Sequence, residues 1–273
     1  MRPMPAPRPT APPVDLLALA RRATGGRLGE AWEAIHLGAL VLAEALNLGS
    51  YRGGHRTALA HQVWRGTAPA LPVFTALSAL VSLVLTHIVS VTAESYGLTQ
   101  YALEMVVRVL VLELVPLTAA LYVALRCAVP FGAELARLQR RGRLDAQRHR
   151  GIDPVRRELL PRVAAGVFAV PLLALVSCGV ALVIAYLMLY GVTPWAFEGY
   201  TRRVGQIFAP EVTLLFVVKT LLLSLAVGLI PTVSGLAGAL HAPARGGVEM
   251  RGLVRVFAVI VLVEIAALVG NYA

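Results

Sequence analysis

Five stretches of this chain are too long and too apolar for a soluble core: roughly 68–92, 101–135, 161–190, 211–240 and 252–270. A helix crossing the hydrocarbon of a bilayer needs about 20 apolar residues. With no water there to satisfy the backbone, a run of that kind spans as a helix. The runs therefore predict an all-α integral membrane protein with five transmembrane helices. Composition agrees: 58% of the residues are hydrophobic and 15% charged, against about a quarter charged in soluble domains. The second run exceeds what a bilayer requires, so it is expected to tilt or to protrude on one side.

The net charge of +10 would fit nucleic-acid binding if the basic residues formed one surface. Instead the arginines sit between the apolar runs, where topology signals belong. The turn after the second run carries Arg140, Arg141, Arg143, Arg148, Arg150, Arg156 and Arg157, and the turn after the fourth carries Arg245 and Arg251. Only Arg202 and Arg203 lie in the loops at the other level, and the loop 93–100 has no Lys or Arg. This asymmetry predicts both basic turns and the N-terminus on the cytoplasmic side and the C-terminus outside. Residues 191–209 carry Pro194, Trp195, Phe197, Tyr200 and Phe208, an aromatic group suited to a membrane surface.

Ahead of the spans, residues 1–26 begin with a proline-rich tract, Pro3 to Pro13, that cannot bury a core and reads as a disordered cytoplasmic tail. Between 28 and 48, Leu28, Trp32, Ile35, Ala39, Leu42 and Leu46 recur at steps of three and four. That is one helical face. Glu30, Glu33, His36 and Glu44 make the segment too polar to span, which predicts a helix lying in the membrane interface, with a cytoplasmic helix packed on a partner as the alternative. Residues 27–273 then form one membrane domain.

Ionisable residues inside the runs are expensive and point to function by default. The second run carries Glu104, Arg108, Glu113 and Arg126. Glu104 and Arg108, four apart, can pair on one helix face, and Arg126 is expected to face another helix or water. Two readings stand side by side: a polar wall of a substrate cavity, or structural ion pairs between helices. Lys219, the only lysine in the chain, sits in the fourth run. It is expected to pair with an acid such as Glu264 or to snorkel outward, with a direct substrate role as the other reading. Lys219-Thr220 lacks the preceding glycines of a phosphate loop. The six histidines make no metal-ligand spacing. Cys127 and Cys178 lie inside apolar runs and read as packing residues. No nucleophile–base signature occurs, so neither a catalytic residue nor a cofactor is expected.

The stretch Leu110–Gly166 resembles the MlaE/YrbE permeases, membrane subunits of Mce-type ABC lipid transporters. The resemblance is carried in order by Leu112-Glu113-Leu114-Val115-Pro116, Leu117-Thr118-Ala119, Leu125-Arg126 and Ala133-Glu134-Leu135. Gly151-Ile152-Asp153-Pro154 and Pro161-Arg162-Val163-Ala164-Ala165-Gly166 follow. Later come Lys219, at the place of a family lysine, and Gly246-Gly247-Val248. The chain departs from the family at Leu112, which replaces an arginine, with Arg108 one turn earlier on the same face. It departs again at Gly142-Arg143, Glu211 and Glu249.

The resemblance implies a homodimer without an ATPase of its own, in the bacterial inner membrane. Its implied partners are a cytoplasmic ABC ATPase, an Mce-domain periplasmic subunit, a small STAS-type cytoplasmic subunit and membrane lipids, with no nucleic acid. A lipid cavity would use Glu113, Arg108, Arg126 and Lys219. A short cytoplasmic coupling helix in the 138–157 turn would meet the ATPase through Arg140, Arg141, Arg143, Asp145 and Asp153. The alternative is a non-transporting scaffold that recruits partner subunits, a reading that the departures from the family motif favour.

Overall fold

In a computed structural model, residues 64, 67–149, 158–241 and 247–272 are described. The predicted tail and interfacial helix, and Asp153, lie outside them. Among the described residues there are helices and turns and no strand. Five of the helices are long and apolar enough to cross a membrane. They are α1 (Ala70–Ser95), α2 (Thr99–Arg140), α4 (Leu160–Tyr190), α6 (Pro210–His241) and α7 (Gly247–Tyr272). Two shorter helices join them: α3 (Arg143–His149) between α2 and α4, and α5 (Phe197–Ile207) between α4 and α6.

The bundle closes on small residues. Ala119, Ala120, Val123, Ala124 and Ala128 of α2 meet Val170, Leu173 and Ala174 of α4, Leu223 and Val227 of α6, and Val256 and Ile260 of α7. In lipid, apolar side chains gain nothing by leaving solvent, so close backbone approach and dispersion contacts hold helices together. One close backbone contact lies between α4 and α6. A Cβ on Gly166 would stand 2.9 Å from Cα of Gly228, and one on Gly228 would stand 3.0 Å from the Val163 carbonyl oxygen. Next to it, a Cβ on Gly132 of α2 would fall 2.4 Å from the carbonyl oxygen of Pro231. Outward, Leu80, Val84, Leu175, Leu214 and Leu262 are exposed, as lipid-facing residues should be.

The first two spans are joined by a tight helix end. Gly97, at positive φ, lets Leu98 N–H donate to Ala93 O while its own N–H donates to Glu94 O, so the last carbonyls of α1 are satisfied. At the other end of α2 the helix runs past its apolar stretch, to Arg140 rather than near 135. The cause is visible in the packing: Leu135 and Ala136 are buried while Arg137 and Arg140 point outward. The last turns of α2 are thus amphipathic and pack under α3. Gly142, again at positive φ, turns the chain from α2 into α3.

The segment 194–207, expected only as an aromatic loop, is a short 3-10 turn followed by α5. Tyr200 is its anchor. Its hydroxyl donates to Leu182 O at 2.8 Å, and its ring meets Tyr186 and Tyr190 edge-on.

Candidate functional site

The second span is not a uniform α-helix. Val106–Leu114 and Ala124–Ala128 are wound as π-helix, and each π stretch runs into a proline-bearing α segment, Pro116 in one and Pro130 in the other. Proline has no N–H, so one carbonyl about a turn before it loses its helical donor, and the change from π to α register frees a second. Before Pro116 those carbonyls are Val111 O and Leu112 O, and each has found a donor on another helix. Cys178 Sγ of α4 reaches Val111 O at 3.5 Å, and Lys219 Nζ of α6 reaches Leu112 O at 3.4 Å. Local π winding of this kind is common at functional positions. Here it opens backbone acceptors toward α4 and α6.

Lys219 is 3% exposed. Besides Leu112 O, its ammonium meets two carboxylates: Glu113 Oε2 of α2, and Glu264 Oε1 of α7 at 2.8 Å. Three spans are therefore joined through one cation. An ammonium has three donors, and the three partners are one backbone oxygen and one oxygen from each acid. The expected Lys219–Glu264 pair is present. Glu113 joins it from 106 residues away in sequence. Glu113 therefore takes the interhelical ion-pair position that the sequence left open beside a cavity wall.

The structure does not gather all four candidate cavity residues. Arg108 Nε bonds Glu104 Oε1 at 2.9 Å on its own helix, with both side chains partly exposed. Arg126 is exposed on the surface of the chain, apart from the triad.

At the opposite, arginine-rich level the structure shows a cluster that sequence reasoning did not single out. Arg162, at the start of α4, is 8% exposed. Its Nη1 reaches Glu158 O at 2.6 Å and Glu158 Oε2 at 2.7 Å, and its Nη2 reaches Glu134 Oε2 of α2 at 3.3 Å. Gln147 of α3 donates to Glu158 Oε1 at 3.3 Å. The available signal was Glu158 four residues before Arg162, a helical pair spacing. Around this cluster Arg140, Arg141 and Arg143 are exposed, and Asp145 lies in α3, with its side chain outside what is described. Among the described residues no group of three or more His, Cys, Asp or Glu could hold a metal ion.

Five apolar helices, with a Lys and two Glu paired across three of them, define a multi-pass membrane protein whose polar groups are organised inside the bundle. The family model "Permease MlaE" matches residues 59–269. The chain belongs to that permease family and is a membrane subunit of a transporter rather than a catalytic enzyme. No curated protein gives a significant match.

Proposed function

We propose that this chain is the permease subunit of an ABC transporter that moves phospholipid or another lipid across or between bacterial envelope membranes, driven by an ATPase on a separate chain. The carrying observation is the family match over residues 59–269. The chemistry supports it. A lipid has one charged end and a long apolar end, so its path needs aliphatic walls and a few charges at defined levels. Exposed Leu and Val on the spans supply the first. Arg108, Arg126 and the Glu113–Lys219 pair supply the second. A homodimer would place the exposed Arg126 against a second copy or an enclosed cavity instead of lipid.

In this reading the chain sits in the bacterial inner membrane with its arginine-rich level in the cytoplasm and its C-terminus in the periplasm. The ATPase docks on α3 and its neighbours through Arg140, Arg141, Arg143, Asp145 and Asp153. An Mce-domain subunit in the periplasm and a STAS-type subunit in the cytoplasm complete the assembly. The exposure of the three arginines fits a docking role.

The test is reconstitution with the cognate ATPase in vesicles. ATP should drive movement of labelled lipid, and reversing the charge at Arg140, Arg141 and Arg143 should release the ATPase while the helical fold survives. A complex that hydrolyses ATP yet moves no lipid would favour the scaffold reading. An ATPase that still co-purifies with the reversed variant would remove α3 as its dock.

A further inference from the structure

The short basic helix α3 is held to the membrane domain by two kinds of contact. One is apolar: Leu144 of α3 is buried with Leu135 of α2 and Leu159 and Val163 at the start of α4, with Leu229 of α6 packed against them. The other is polar and, among the described side chains, runs through Glu158 to Arg162. That side chain grips Glu158, just ahead of its own helix, and Glu134 on α2. Glu158 in turn accepts from Gln147 of α3. One guanidinium therefore ties the end of α2 directly, and α3 at one remove, to the start of α4.

Arginine suits this post. Its planar fork presents several donors at once and stays charged under all ordinary conditions. Lysine offers a compact charge on one nitrogen. In this geometry Nη1 serves Glu158 while Nη2 serves Glu134, so the two carboxylates are held from two separate nitrogens of one rigid plane.

The position of the clamp gives it a mechanical meaning. Gly166, one turn further along α4, is where α4 lies backbone to backbone on Gly228 of α6. Gly132, just before Glu134 on α2, lies against the Pro231 carbonyl of the same helix. The clamped unit thus rests on α6 at two neighbouring points of close backbone approach. Packed helices of this kind shift as discrete bodies and do not deform smoothly. Lys219 lies on the same α6 and carries the ion triad.

We propose that Arg162 is a positioning residue for energy coupling. It makes α3, the end of α2 and the start of α4 one lever that bears on α6, so that displacement of α3 reaches the triad. The inference rests on the reading of α3 as the ATPase-facing helix. It does not require Arg162 to touch lipid, nucleotide or the ATPase.

The experiment uses the whole permease with its ATPase in vesicles, comparing Arg162→Ala, Arg162→Lys and Glu134→Gln with wild type. Hydrolysis and lipid transfer are measured together, and hydrogen exchange follows the α3 amides. Glu134 is largely exposed, so its variant keeps the proposal testable if Arg162→Ala fails to fold. Expected for Arg162→Ala is an ATPase rate near wild type, a roughly tenfold loss of lipid moved per ATP, within the range of single coupling substitutions, and faster exchange in α3. Arg162→Lys and Glu134→Gln should fall between.

A proportional fall of hydrolysis and transfer, with α3 exchange unchanged, would make Arg162 a purely structural residue and overturn the proposal. Wild-type ratios in all three variants would do the same. If the wild-type complex moves no lipid, the transporter reading fails. The clamp is then judged by α3 exchange alone, and unchanged protection in Arg162→Ala rejects it.

Discussion

Replacing Lys219 by methionine keeps most of its length and removes its charge, which isolates the worth of the triad. Lys219 is 3% exposed and its ammonium has three oxygen partners. Counted as separate polar contacts inside a membrane protein, at about 0.6 kcal/mol each on average, the loss would be roughly 2 kcal/mol. That count omits what stays behind. Glu113 and Glu264 have side chains only 14% exposed, and without Lys219 they face each other with no cation between them. Breaking a buried pair by removing one partner costs about 3–5 kcal/mol for this reason. The larger figure should win, raising the unfolding equilibrium constant by about two to three and a half decades. The assay is reversible unfolding of the purified protein in mixed micelles, followed by helical circular dichroism. The control is the triple variant Lys219→Met, Glu113→Gln, Glu264→Gln, which removes the stranded charges and should recover most of the loss. A single variant costing under about 1 kcal/mol, or a triple variant no better than the single one, would refute the reasoning.

Gly166→Ala or Gly228→Ala should destabilise by about 1–3 kcal/mol, because the added Cβ meets backbone within 3.0 Å on the facing helix. Gly179→Ala in the same α4, with nothing within 4 Å of its Cβ, should be neutral or stabilising by up to about 1 kcal/mol; thermal melts of the three would show the split. Arg126→Ala should leave stability within about 0.5 kcal/mol, since the side chain is exposed, while lowering the lipid recovered with the purified protein. Unchanged lipid by mass spectrometry would exclude Arg126 from the lipid path. Burial, with the Tyr190 hydroxyl nearby, pushes the Tyr200 hydroxyl up from 10.0 to about 12. The folded state therefore keeps this proton after the unfolded chain has lost it. The stability that Tyr200 contributes is full below pH about 10 and fades toward pH about 12, and Tyr200→Phe should flatten that alkaline slope in pH-dependent melts.

The parts of this fold that follow from single runs of sequence were legible, and the parts that depend on which helices meet were not. Five apolar runs announce five spans because lipid leaves the backbone no other solution. Glu104 and Arg108, four apart, announce their pair because a helix alone brings them together. Lys219 announced that it needs an acid, since a lone ammonium inside the bundle is expensive, but nothing local says that Glu113 and Glu264 both answer it. That depends on α2, α6 and α7 meeting at one level. Arg162 was harder still. It stands among other arginines at a membrane boundary, where the positive-inside tendency explains a basic residue without any partner. Its burial, and its grip on Glu134 and Glu158, appear only once α2 and α4 are folded side by side. Pro116 links the two kinds of information. In sequence it marks a missing backbone donor; in the fold, the freed carbonyls of Val111 and Leu112 are taken by Cys178 and Lys219. The break in backbone bonding where the π stretch of α2 meets Pro116 also gives Lys219 its third partner. The irregularity and the ion cluster are therefore one feature, and Pro116→Ala should weaken the triad even as it regularises the helix.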